Sequence, residues 1–286
     1  MSDKIFLNDN FFDAEEAKVS VFDRGYLFSD GIYELIPYFN YKPFLFDEHY
    51  KRLERSLNMI DIENPYSRDE WINRINNLLE TCVYKNFSVY IQISRGVPSD
   101  LKDGIYREHA ATKKYIPSVL MFYSENKGFP KKKPNEEKAI IMEDKRWLQC
   151  DVKSISLLYN AYAKTLAHKE NAYETILIRD GNVTEGCSSN VFIVKENVIK
   201  TCPKSNLILP GISRTHIVNS LIKSTEYELI EKEFSKEELE SADEIFVTNS
   251  TQCIVSINKI NNNTIGTGTC GKITEEIFSQ FIKSIN

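Results

Sequence analysis

The chain has little with which to hold a metal or a disulfide. Its 286 residues include four histidines (His49, His109, His168 and His216) and no His-Glu-x-x-His spacing, which argues against a zinc hydrolase. Six cysteines, at positions 82, 150, 187, 202, 253 and 270, are scattered without a Cys-x-x-Cys pair, so neither a disulfide framework nor a zinc site is indicated. No apolar run approaches the roughly 20 residues of a membrane helix. Met1 to Phe12 mixes Asp3, Lys4, Asn8 and Asp9 among its apolar residues and forms no signal-peptide core, which makes the cytoplasm the expected location. Positive charge is also short. A net charge of -5 speaks against a nucleic-acid binder, because neutralising phosphates requires a basic face. The one basic run, Lys131-Lys132-Lys133, lies between two prolines and reads as solvated linker.

What is present is ordinary globular material: 42% hydrophobic and 27% charged residues, in a chain long enough for two modest domains. Residues 87–94 alternate apolar and polar as a half-buried strand does. Ser67-Arg68-Asp69-Glu70 has the capping-box pattern and predicts a helix running to Tyr84. An earlier helix is expected from Asp47, with Tyr50, Leu53, Leu57 and Ile60 on one face, and Pro117 to Ser124 reads as a strand. Residues 1–124 therefore form a small α/β domain. The Lys-, Pro-, Gly- and Glu-rich segment 125–137 reads as a linker, and residues 138–286 as a larger domain of α/β or α+β type. In that domain strands are expected at Ala139 to Met142, Thr175 to Ile178, Val191 to Val194 and Ile245 to Val247. Helices are expected at Ser156–Asn171, Ser213–Ser224 and Lys272–Ile285. Asp180-Gly181 is a hairpin signal, and Asn261-Asn262-Asn263 reads as a turn.

Two motifs invite chemistry. Gly266-Thr267-Gly268-Thr269-Cys270-Gly271 is a literal G-x-G-x-x-G. The acidic residue a dinucleotide site needs about 20 positions further on falls beyond Asn286, so the motif reads as a turn before the last helix. Lys153 is flanked by Trp147, Leu148, Cys150 and Val152 on one side and Ile155, Leu157 and Leu158 on the other, which predicts a partly buried amine suited to imine formation. Glu185, in Val183-Thr184-Glu185-Gly186, supplies a carboxylate. One lysine and one carboxylate are the minimum for passing an amine through pyridoxal phosphate, the first for the aldehyde and the second for the pyridine nitrogen.

Asp23-Arg24-Gly25-Tyr26, Asp30-Gly31-Ile32-Tyr33-Glu34, His49-Tyr50-Lys51-Arg52-Leu53, Arg146-Trp147-Leu148, Cys150-Asp151-Val152-Lys153-Ser154, Val183-Thr184-Glu185-Gly186 and Leu209-Pro210-Gly211-Ile212-Ser213-Arg214 occur in this order. Together they resemble the pyridoxal-phosphate transaminases of fold type IV, end to end. The resemblance implies the two-domain fold of that group and a catalytic Lys153 bound to the cofactor. It also implies Glu185 at the pyridine nitrogen, and Arg52, Ile212, Ser213, Ser250 and Thr251 around the phosphate. Leu209, Ser188, Ser189 and Asn190 would line the ring, and a homodimer would be the functional unit.

The region around Lys153 looks most like the D-amino-acid-specific branch, which implies exchange of D-alanine and 2-oxoglutarate for pyruvate and D-glutamate. That branch holds the substrate carboxylate with an Arg-x-His pair and a tyrosine at the position of Tyr33. An ungapped alignment would put Asp100 and Lys102 in the pair, but an acidic residue there would repel the substrate carboxylate, so the gapped alignment, with Arg107 and His109 in the pair, is the expected one. The loop from Pro98 to Tyr115 is accordingly where specificity is expected to differ. A branched-chain L-amino-acid transaminase, an aminodeoxychorismate lyase and a non-catalytic cofactor-binding dimer are the alternatives.

Overall fold

The computed structural model describes residues 4–100, 107–127, 129 and 131–285. The chain divides into two units, Met1–Lys127 with Val152–Ser156, and Gly128–Asp151 with Leu157–Asn286. The segment around Lys153 thus belongs to the first unit although it lies within the stretch of sequence that forms the second.

In the first unit the elements are β1 (Lys4–Leu7), β2 (Asn10–Asp13), α1 (Arg24–Phe28), β3 (Gly31–Phe39), β4 (Lys42–Pro43), α2 (Phe46–Met59), α3 (Arg68–Leu79), β5 (Phe87–Pro98) and β6 (Tyr115–Glu125). Among the described residues they make an antiparallel sheet in the order β2-β1-β6-β5-β3-β4. Alternation along β5 sends Val89, Ile91 and Ile93 into a core with Leu53, Leu57, Trp71 and Ile75 of α2 and α3. The capping box of α3 is formed: Ser67 N donates to Glu70 Oε2 at 2.9 Å, and Glu70 N to Ser67 Oγ at 3.4 Å. That helix stops at Leu79 rather than Tyr84, because Thr81, Cys82 and Val83 are weak helix formers and Cys82 N turns back to Leu79 O. On α2, Leu53 and Leu57 are buried as the apolar spacing requires, and His49, Arg52 and Ser56 are buried with them.

The second unit contains β7 (Asn135–Glu143), α4 (Leu158–Lys169), β8 (Glu174–Arg179), β9 (Asn182–Gly186), β10 (Asn190–Lys195), β11 (Val198–Thr201), α5 (Ile212–His216), β12 (Glu228–Glu231), α6 (Lys236–Glu240), β13 (Glu244–Asn249), β14 (Cys253–Ile260), β15 (Asn263–Thr264) and α7 (Lys272–Ser284). Its sheet among the described residues runs β12-β11-β10-β13-β14-β7-β8-β9, with β15 paired to β14. The pairs β7/β8, β7/β14 and β11/β12 are parallel and the others antiparallel. Asp180 and Gly181, at φ 50 and 82, make the hairpin turn between β8 and β9. The glycine-rich 266–271 segment is a turn leading to Gly271, the N-cap of α7.

Three further elements depart from the sequence expectation. β7 begins at Asn135, inside the stretch that composition marks as linker, because Asn135 to Glu137 add to the edge of β14. α4 starts at Leu158 rather than Ser156, because residues just before it are tied to β3: Ile155 N donates to Gly31 O, and Ser154 bridges Ile32. The same helix ends at Lys169, before Asn171, which takes a left-handed φ of 50. The third is the helix expected over Ser213–Ser224. It is α-helical only to His216, then passes through a π turn (Ile217–Leu221) and a 3-10 turn (Ile222–Ser224).

Candidate active site

In the first unit Lys153 is fixed through its backbone. Its N–H donates to Ser56 Oγ at 3.3 Å, and its carbonyl accepts from Tyr33 N at 2.9 Å. Its Nζ lies 4.1 Å from the centroid of the Tyr33 ring, which stacks on Tyr90. The half-buried setting expected for this amine is present, but not for the expected reason. Trp147, Leu148, Leu157 and Leu158 are exposed; Cys150 and Val152 are buried, and pairing to β3 places the lysine.

Helix α2 presents Arg52 to Glu34 of β3, Nε to Oε2 at 2.9 Å and Nη2 to Oε1 at 2.6 Å. His49 Nδ1 lies 2.9 Å from Glu34 Oε1, and Leu35 N donates to the same oxygen. Burial works to raise the Glu34 carboxyl, but Arg52 and His49 outweigh it and hold it well below the usual carboxylate range. With Glu34 ionised, His49 Nδ1 is the donor, while burial lowers the imidazole's own proton affinity.

The second unit centres on Glu185, at the end of β9 and 4% exposed. Its Oε1 accepts from Arg146 Nη1 at 2.6 Å, and its Oε2 from Asn190 Nδ2 and Leu209 N, both at 3.0 Å. Arg146 is gripped from its other side by Asp144, Nε to Oδ1 and Nη2 to Oδ2, both at 2.9 Å. Burial pushes the Glu185 carboxyl up to about 7, against the pull of Arg146. Asn190 Nδ2 also donates to Leu209 O, so one amide spans the carboxylate and the turn before α5. Gly211, the N-cap of α5, leaves room for the Asn190 amide: a Cβ there would stand 2.1 Å from Asn190 Oδ1 and would have to displace it.

Beyond that turn the first amides of α5, at Ile212 and Ser213, have no partners within the helix. Ser213 Oγ donates to Asn249 O at 3.2 Å, joining this end of α5 to the Asn249–Gln252 turn. Asn249 Oδ1 accepts from Thr251 N, Thr251 Oγ1 and Gln252 N, and Cys253 then adopts a left-handed φ of 61. Thr248 pairs across the sheet with Asn190, and its shielded hydroxyl has no partner among the described residues. Such an arrangement offers a carboxylate shielded from water to a cationic ring nitrogen, with one unengaged hydroxyl, that of Thr248, on the neighbouring strand.

The family model for class IV amino-transferases matches residues 31–260, and so covers both Lys153 and Glu185. The chain belongs to the class IV aminotransferases. A curated relative, the D-alanine aminotransferase of Bacillus licheniformis, is 37% identical over 99% of this chain and 97% of its own length. The fold is shared with the branched-chain amino acid aminotransferase of Escherichia coli, at a TM-score of 0.87 and 22% identity over 100% of this chain and 95% of that one. It is likewise shared with the branched-chain aminotransferase of the archaeon Thermoproteus uzoniensis solved with norvaline, at a TM-score of 0.85 and 25% identity over 100% and 95%.

In this class IV aminotransferase the residues picked out by sequence fall into separate groups. Lys153 and Tyr33 meet in the first unit, where Arg52 pairs with Glu34. Glu185, Asn190 and Leu209 meet in the second, where Ile212 and Ser213 adjoin the turn of Ser250 and Thr251. Ser189 donates its hydroxyl to Glu174 rather than to the Glu185 group, as do Ser188 and the thiol of Cys187. Arg107 and His109 are exposed and flank Phe28, and among the described residues no bond joins either to Tyr33. Asp100 is exposed in a turn, and Lys102 lies outside the described residues. Sequence reasoning gave no role to Glu34, His49, Asp144 or Arg146. Glu34, His49 and Arg146 stand in the quoted motifs, but Glu34 meets α2 from β3 and Arg146 meets Glu185 from a distant segment, and no spacing rule reveals either pairing.

Proposed function

We propose that this aminotransferase depends on pyridoxal 5'-phosphate and exchanges D-alanine and 2-oxoglutarate for pyruvate and D-glutamate, working as a cytoplasmic homodimer. The observation that carries the cofactor assignment is Glu185, a buried carboxyl held by three donors whose proton affinity burial raises. The residue types fit the group: an amine at Lys153 in the first unit would take the aldehyde, and in the second unit Glu185 would take the ring nitrogen, with the unpartnered Thr248 hydroxyl beside Asn190. Arg52, the amides of Ile212 and Ser213, and the hydroxyls of Ser250 and Thr251 would take the phosphate, with Leu209, Ser189 and Asn190 beside the ring. D-amino acids are favoured as substrates by the 37% identity to a D-alanine aminotransferase along nearly the whole chain.

When bound, the cofactor supplies an aldehyde that captures the substrate amine and a protonated ring that draws electrons from the α-carbon. The chain's own residues do the rest. Lys153, anchored at its N–H by Ser56 and at its carbonyl by Tyr33, keeps its backbone fixed while its Nζ swings to take the α-proton and return it. Arg146 and Asn190 keep Glu185 oriented, and Arg146 favours its ionised form when a cationic nitrogen faces it. Arg107 and His109 would grip the substrate carboxylate, the guanidinium with two parallel bonds, with Tyr33 beside them.

No helix among the described residues is long and apolar enough to cross a membrane, and all six cysteines are free, which suits a reducing compartment. Exposed apolar side chains such as Tyr26 in the first unit and Leu158 in the second support self-association. The test is the visible absorbance of the purified protein before and after D-alanine, L-alanine and L-leucine, with Lys153→Ala as control. Loss of the yellow band with D-alanine alone is expected. Loss with L-leucine alone would instead assign the branched-chain reaction, and a colourless protein that takes up no cofactor would end the proposal.

A further inference from the structure

The proposed reaction leaves Asp23-Arg24-Gly25-Tyr26 without a task. These residues build α1 and seat it on β5. Asp23 Oδ1 accepts from Gly25 N and from Ser94 Oγ, both at 2.7 Å. A Cβ on Gly25 would come within 2.6 Å of Ser94 Cβ, so no larger residue allows this approach. From this seat Arg24, 7% exposed, makes three bonds in three directions. Its Nε donates to Asp30 Oδ2 at 2.7 Å, its Nη1 to Glu108 O at 2.7 Å and its Nη2 to His109 O at 2.8 Å. Asp30 is braced by Arg95, whose Nε donates to Asp30 Oδ2 at 2.8 Å and whose other nitrogens hold the carbonyls of Ile60 and Asp61. Above this frame lies Phe28. The guanidinium carbons of Arg24 and Arg107 are 4.6 and 4.4 Å from its ring centroid, and the His109 ring is 5.4 Å from it. Arg24 shares the Asp30 carboxylate with Arg95, whereas Arg107 has no carboxylate partner among the described residues.

We propose that Arg24 is a positioning residue for substrate recognition, fixing Arg107 and His109 by holding the carbonyls of residues 108 and 109 while Phe28 supports both side chains. This rests on the reading of Arg107 and His109 as the carboxylate pair. An exposed segment on its own samples many conformations, and an anion-binding arginine displaced by about an ångström loses its two-point grip. A guanidinium fork can serve two carbonyls and a carboxylate at once; the single ammonium of a lysine cannot. Arg24 touches neither substrate nor cofactor, and its effect passes through the backbone of residues 108 and 109.

The test compares wild-type and Arg24→Lys holoenzymes in steady-state kinetics, using whichever amino acid bleaches the visible band together with 2-oxoglutarate. Hydrogen–deuterium exchange of the peptide 107–115 is followed in parallel. The expected result is a KM raised at least about tenfold for both carboxylate substrates, kcat within about twofold, and faster exchange in that peptide. Phe28→Leu should shift KM in the same direction and serves if the lysine variant does not fold. Unchanged KM and unchanged exchange would overturn the proposal, as would a lowered unfolding temperature with KM unaltered. Faster exchange with unchanged KM also overturns it, and Arg107→Ala then finds the fault: unchanged KM in that variant condemns the carboxylate-pair reading, and a raised KM condemns the role of Arg24 alone.

Discussion

At Glu185 burial and charge pull in opposite directions, and burial prevails, leaving a carboxyl raised to about 7 in the cofactor-free fold. A carboxyl whose folded value exceeds its unfolded value contributes stability that is complete below the ordinary carboxylate range and is lost as pH rises through about 7. Glutamine cannot titrate. The stability of the cofactor-free wild type relative to Glu185→Gln should therefore fall by about 2 kcal/mol between pH 5 and 8, measured by urea unfolding at several pH values. A difference that stays constant with pH would show that Arg146 keeps the carboxyl in its ordinary range. Neighbouring Asn190 spans Glu185 and Leu209, so Asn190→Ala should lose at least about tenfold in cofactor affinity by fluorescence titration, about the worth of one hydrogen bond to a charged group. Lys153 and Glu185, the residues proposed to meet the cofactor, could be picked out of the sequence because the proposed chemistry requires those residue types within recognisable motifs. Arg146, Asp144, Glu34 and His49 were not, because Glu34 meets α2 and Arg146 meets Glu185 only through the tertiary fold, and sequence spacing does not carry that information.

Elements whose cause is local were legible; those whose cause is tertiary were not. The α3 start and the Asp180-Gly181 hairpin follow from side chains within a few residues, and the fold contains both. Ser67→Ala removes the α3 cap and should cost about 1 kcal/mol of stability in urea unfolding while leaving turnover unchanged. By contrast, the late start of α4 depends on β3, and the π turn after His216 has no mark in the sequence pattern. Nor does spacing reveal why Gly211 precedes α5, since the obstacle is the Asn190 side chain from a distant strand. Gly211→Ala must displace that amide, and with it one of the three bonds to Glu185. It should cost about 1–3 kcal/mol of stability and weaken cofactor binding together. Lost stability with unaltered cofactor affinity would separate the turn from the site.

For the whole molecule the fold class was legible from motifs in family order, and the first unit's main stretch ends at Lys127. The return of Val152–Ser156 to the first unit could not be read, since it follows from edge pairing with β3. Both units leave large apolar side chains in water that their own cores do not explain. In the first they include Val19, Val21, Phe22 and Tyr26; in the second they are Trp147, Leu148, Leu157, Leu158 and Tyr162. Leu158 is 87% exposed, and a leucine in water forgoes about 1.5–3 kcal/mol that burial would recover. A second copy of the chain is the occupant proposed for these surfaces. Wild type should therefore sediment at twice the chain mass, and Leu158→Asp should shift the equilibrium toward single chains, because a carboxylate buried without a partner is costly. That variant should keep its fold, since the replaced side chain is already in water within one chain. A wild type that sediments as a single chain at micromolar concentration would leave these exposed residues without the proposed partner.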